Sequence, residues 1–93
     1  MVIGTLEVEL LIPGADSLKA KRMVLLSLKD RVRRSFNVSI AEVADQDQWQ
    51  SAALAIVIVS TDRQFANQVL SKVVSFIESD RRLVLEHYQL SLI

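Results

Sequence analysis

Apolar and polar residues alternate from the start of the chain. Val2, Gly4, Leu6, Val8, Leu10 and Ile12 fall on one face, with Thr5, Glu7 and Glu9 on the other. A period of two is that of a half-buried strand. Pro13-Gly14 breaks it, and Asp16 or Ser17 stands where a helix cap is needed. From Leu18 to Phe36 the period becomes helical, and Leu18, Val24, Leu25, Leu28, Val32 and Phe36 share one face. Asn37 is a C-terminal stop. Val38 to Val43 reads as a second strand and Ala53 to Ser60 as a third, joined by the polar, bent segment Ala44 to Ser51. Asp62 caps a second helix with Phe65, Val69, Val73 and Phe76 in its stripe, ending near Ser79-Asp80. Leu83 to Leu92 is the last strand.

The order β-α-β-β-α-β contains two interleaved βαβ units. With right-handed crossovers they predict an α+β, ferredoxin-like βαββαβ sandwich: one antiparallel sheet in the order 4-1-3-2, both helices on one face. A plain αβ meander competes, but it leaves the two helix stripes without a common sheet to cover. Residues 1–93 are expected to form a single domain, since 93 residues are too few for two cores.

Composition narrows the chemistry. The chain is 51% hydrophobic and 24% charged, enough to build a core. Eleven basic residues balance eleven acidic ones, which argues against a generic nucleic-acid coat and leaves room for a local patch. The absence of cysteine excludes disulfides, thiolate metal sites, iron–sulfur clusters and cysteine nucleophiles. No cofactor is expected. The longest apolar run, Ala52 to Val59, has strand length rather than membrane-spanning length. Met1 to Thr5 carries no basic segment of a signal peptide, so a cytoplasmic location is expected.

The familiar jobs of this fold class lack their residues. Base stacking on the two central strands, the first and third, needs aromatic side chains, and neither strand has one. A copper-carrying domain needs a CxxC. Acylphosphatase-like chemistry needs an arginine in the loop after the first strand, where Asp16 stands instead. His87, the single histidine, sits inside a strand, and a half-exposed strand histidine describes it better than a general base. Glu7 and Glu9 share a strand face that is expected to be solvated or oligomer-facing rather than a cation site. Asp45 and Asp47 serve turn geometry. A non-enzyme is expected, without a metal and without a membrane partner.

Three features stand above background. Between Ser17 and Phe36 there are seven basic residues and one acid, Asp30, a local charge of +6 in a chain that sums to zero. At about 100° per residue, Arg22, Lys29 and Arg33 cluster on one flank of the helix with Lys19 beside them. They are the candidate surface for an anionic partner, against the plain reading of a solvated helix whose C-terminal half favours arginine. The third strand is apolar on both faces, with Ala53, Ala55, Val57 and Val59 on one, Leu54, Ile56 and Ile58 on the other. A central strand of that kind is expected to be buried on both sides, and Leu54, Ile56 and Ile58 are the candidate interface of a homo-oligomer formed through the open sheet face. Met23 and Leu26, off the core stripe, are candidate secondary contacts. Trp49, the single tryptophan, is expected to cap the edge of the core, with a binding hot spot as the alternative.

Ser17-Leu18-Lys19-Ala20-Lys21-Arg22, then Phe36 to Val43, then Asp47-Gln48-Trp49-Gln50, resemble the bacterial DUF503 or YlxP-like family over nearly the whole chain. Where that family often carries Asp-His this chain has Ala44-Asp45, and where it often has glycine this chain has Ala55. The resemblance implies a ferredoxin-like fold and no activity. The family's genes often neighbour those for translation initiation factor 2 and ribosome-binding factor A, which implies a role near RNA or ribosomes. The leading expectation is therefore a non-enzymatic module that binds RNA or a ribosome-associated protein through helix 18–36. The alternative is an oligomeric small-ligand-binding regulatory domain with an anion site at the start of that helix, built from Pro13 to Ser17 with Lys19 or Lys21.

Overall fold

A computed structural model describes residues 1–93. The elements are β1 (Val2–Leu11), α1 (Leu18–Ser35), β2 (Ser39–Ala44), β3 (Ser51–Ser60), α2 (Arg63–Glu78) and β4 (Val84–Leu92). The four strands are antiparallel in the order β2-β3-β1-β4, as the βαββαβ pattern predicts. β1 pairs with β3 along its whole length, from Val2 opposite Ser60 to Leu11 opposite Ser51. Its other edge pairs with β4, with a bulge between Glu9 and Leu10.

Alternation in β1 sorts its side chains as the pattern requires. Leu6, Val8 and Leu10 are buried while Glu7 and Glu9 are exposed. Twenty buried residues form one core between the sheet and the helices, to which α1 contributes Leu25, Leu28 and Val32 and α2 contributes Leu70, Val73 and Ile77. Gly4 has no room for a side chain: a methyl there would meet Ile58 Cγ2 and Leu70 Cδ1 at 2.9 Å. Bare backbone lets β1 and α2 approach at that point.

Caps define both helices. Ser17, not Asp16, caps α1, its hydroxyl accepting from the Ala20 N–H at 3.0 Å. Asp62 caps α2 by accepting from Gln64 N at 2.9 Å. At the far end of α1, Phe36 meets Phe76 edge to face, with ring centroids 5.7 Å apart, and Arg31 lies 5.1 Å over the Phe76 ring.

The register overturns one expectation. Leu54, Ile56 and Ile58 are 0%, 0% and 5% exposed and face the helices, so they cannot be an open-face interface. They sit opposite Val8, Leu6 and Gly4, the core-facing positions of β1. The open face of β3 carries Ala53, Ala55, Val57 and Val59 instead. Side-chain size held the clue: the bulkier residues fill the core and the smaller ones line the open face.

Lys21 departs furthest from expectation. Counted among the basic residues of α1, it is fully buried. Its Nζ donates to the Asp45 carbonyl at 2.6 Å and lies 2.9 Å from Glu42 Oε2. That oxygen is buried and has no hydrogen-bond donor of its own, so the lysine charge is its compensation. Lys21→Met, which keeps the aliphatic stem, is expected to cost about 2–4 kcal/mol in urea denaturation by stranding Glu42. Adding Glu42→Leu should recover most of the loss, and a double mutant no better than Lys21→Met alone would rule out the charge account.

Candidate functional site

α1 turns its outer face to solvent, and the structure sorts the basic residues on it. Lys19, Arg22 and Arg34 are exposed and Lys29 half-exposed, and none of the four has an ion-pair or hydrogen-bond partner in the chain. Arg33 is partly committed: it donates to the Ile40 carbonyl at 3.0 Å and lies 3.7 Å from Asp30. Asp30, the single acid of α1, is thereby occupied. Arg31 turns toward α2 and donates to Asp80 at 3.1 Å. The expected set Lys19, Arg22, Lys29 and Arg33 thus does share the outer side of α1, with Arg34 added to it. Met23 and Leu26 lie between these cations, 64% and 56% exposed.

The anion site expected at the start of α1 does not form from lysines. Lys21 is consumed by Glu42 and the Asp45 carbonyl. Lys19 is absent from the lining of the cleft beside the Pro13–Ala15 turn, which is closed instead by Arg81 and Arg82 from the loop before β4. Neither arginine stands out in the sequence, where both lie in a short polar loop. Their signal was the adjacent Asp80, which looks like an ordinary helix end until it proves to be buried.

Asp80 is the second buried charge. Arg82 grips it along one edge of its guanidinium, Nε donating to Oδ1 at 3.0 Å and Nη2 to Oδ2 at 2.7 Å, and the Arg82 backbone N–H adds a bond to Oδ1 at 2.9 Å. Those bonds hold the carboxyl at a pKa of about 2, below its ordinary 3.8, against the opposing effect of burial; the charges of Arg82 and Arg31 add to the lowering.

The open sheet face is a mixed surface. Its rows run Val57–Thr5–Ser91, Ala55–Glu7–Gln89 and Ala53–Glu9–His87 across β3, β1 and β4. Glu7, Glu9, His87, Gln89 and Ala53 line a shallow trough of about 300 Å³ with Val43 and Ala44. No three acidic or histidine side chains converge as metal ligands would. Trp49 is 54% exposed at the hairpin, and its indole N–H finds no acceptor in the chain, so it does not seal the core edge as expected. No helix is long and apolar enough to cross a membrane.

Residues 3–90 match the family model described as "Protein of unknown function (DUF503)". The chain belongs to this family. One relative, the "Uncharacterized protein YlxP" of Bacillus subtilis (strain 168), is 44% identical over 78 residues, covering 84% of this chain and 85% of that protein. Among solved structures, a de novo designed protein with a ferredoxin fold superposes with a TM-score of 0.57 at 17% identity, over 100% of this chain and 84% of the design. The de novo designed protein Foldit4 follows at 0.51 and 10% identity, over 99% of this chain and 94% of the design. At those identities the likeness is one of fold alone.

Asp80 makes stability pH-dependent in a defined window. Its pKa is lower folded than unfolded, so its stabilisation is complete above about pH 4 and is lost as pH falls through about 2. Asp80→Asn should cost about 1–2 kcal/mol at neutral pH, after allowance for the solvent around the two arginines. In chemical denaturation the gap between the variant and the parent should close toward pH 2; a gap that stays constant would contradict the pairing.

Proposed function

We propose that the protein is a non-enzymatic binding module that docks RNA on the outer face of α1, near the translation machinery. The observation that carries this reading is the set of unpaired cations, Lys19, Arg22, Lys29 and Arg34, along one helix whose single acid is already engaged. Lys and Arg on a rigid helix present their charges to phosphates without further folding cost. No aromatic ring lies within α1 to stack a base, so binding is expected to follow the RNA backbone rather than its sequence. The gene neighbourhood of the family agrees in direction.

Four phosphate contacts on single-stranded RNA correspond to a log–log salt slope of about −3. Arg22→Glu with Lys29→Glu removes two cations that make no internal bond, so the fold should be unchanged while binding at low salt weakens about tenfold or more. Fluorescence anisotropy with labelled RNA, together with ribosome co-sedimentation, reads both effects. Failure of the wild-type protein to associate with either at low salt would end the reading.

A second copy of the chain is the occupant we propose for the open sheet face. Ala53, Ala55 and Val57 are only partly exposed there and Val59 is 66% exposed, with no helix above them. A strand apolar on both sides supports burial on both sides. Such a dimer leaves the outer face of α1 free. Light scattering coupled to gel filtration should give a dimer for the parent and a monomer for Val57→Glu, whose core is untouched. A parent that stays monomeric across a wide concentration range would refute it.

A further inference from the structure

The cleft between the turn after β1 and the loop before β4 has two features that nothing in the α1 reading uses. It is a groove open to solvent on one side, of about 380 Å³, with the buried Ile12 and Ala15 at its base, Ala20 and Val24 along α1, and Arg81 and Arg82 at its edge. We propose that it is a binding site for a small organic carboxylate with a short apolar body. At the ~30 Å³ that one liquid water occupies, the space holds roughly a dozen non-hydrogen atoms. Its apolar base accepts hydrocarbon, and the unengaged guanidinium of Arg81 can donate to a carboxylate in two-point fashion, with Arg82 Nη1 as a further donor.

The turn on one side and Arg82 on the other are held before any ligand arrives. On one side Gln50 Nε2 donates to the carbonyls of Ala15 at 3.1 Å and Pro13 at 3.3 Å. Ile12 N donates to the Gln50 carbonyl at 2.8 Å, and Ala15 N to the Ile12 carbonyl at 3.1 Å. The turn is thus pinned to the β2–β3 hairpin. On the other side the forked bond to Asp80 locks the plane of Arg82, and its Nη2 also reaches Ser27 Oγ at 3.3 Å. Arg82 Nη1 is left without a partner. Arg81 has none at all. Asp80 is already shared between Arg31 and Arg82, and no acid lines the cleft, so the positive charge there is uncompensated. An apolar cleft edged by a free guanidinium favours a ligand with both parts over either part alone.

Amide chemical shifts of the whole protein, titrated with four probes, test this. Hexanoate and benzoate should move the signals of residues 12–24 and 81–82 saturably. Hexanamide, which has the chain without the charge, and inorganic phosphate, which has charge without the chain, should not. Arg81 makes no internal bond, so Arg81→Gln should fold as the parent does and raise the half-saturation concentration about tenfold. Ala20→Leu should abolish the response by filling the cleft. The proposal is overturned if hexanoate and benzoate produce no saturable shift, if phosphate or hexanamide shifts the same signals equally, or if Arg81→Gln binds as tightly as the parent. Arg22→Glu with Lys29→Glu should leave carboxylate binding intact, and Arg81→Gln should leave RNA binding intact, so each site fails or survives separately.

Discussion

The ammonium of Lys21, withdrawn completely from water, is the contact on which the arrangement of this molecule turns. It joins the first turns of α1 to Glu42 on β2 and to the carbonyl of Asp45 beyond it. Asp45 has a positive φ of 59°, a conformation in which its carbonyl also receives Gln48 N at 3.1 Å. One lysine thus sets where the β2–β3 hairpin lies relative to α1. From that hairpin, Gln50 reaches back to hold the turn between β1 and α1. The chain of contacts is closed, from α1 through the hairpin to the turn that leads back into α1. A buried charge costs solvation, and an apolar residue of similar shape often serves stability as well. What the ion contact adds is position, since a carboxylate and a carbonyl at the right places are met by one ammonium only in one hairpin placement.

Burial of Lys21 and capture of Arg31 and Arg33 also reshape the charge of α1. The formal +6 of the segment overstates what a partner meets. Three of its seven cations are engaged within the chain, and the four that remain lie outward around Met23 and Leu26. Arg31 serves the far seam, where it caps Phe76 and shares Asp80 with Arg82. The helix therefore has three chemically distinct sides: an apolar one for the core, a bonded one toward its neighbours, and a free cationic one.

The likeness to two designed proteins separates fold from function. A designed ferredoxin-like sandwich needs only patterning, caps and a packed core. Here those features are present in Leu6, Val8 and Leu10, in Ser17 and Asp62, and in the twenty-residue core. What the fold does not require is unpaired cations on α1, an uncovered apolar strand face, or Arg81 at the edge of an apolar cleft. Function in such a scaffold resides in what exceeds the needs of folding.

Element order, strand faces in β1, the Asp62 cap of α2 and the 4-1-3-2 sheet were legible in the sequence because each rests on local periodicity, short-range chemistry or the handedness of the crossovers, while the cap of α1 was narrowed to Asp16 or Ser17. The end of α1 and the start of β4 were placed to within a residue for the same reason. The inward face of β3 was not legible. Alternation carries no sign when both sets are apolar, and only the register against Leu6 and Val8 puts Leu54 and Ile56 inside. The destination of Lys21 depended on Glu42 and Asp45, more than twenty residues away, and no helical period reveals a partner on another strand. Arg81 and Ile12 come together from opposite ends of the chain. The sequence by itself determined which elements form and in what order, because those choices are made within a few residues. The tertiary structure decided which charges are used up and which are left free, because that is settled only where distant segments meet.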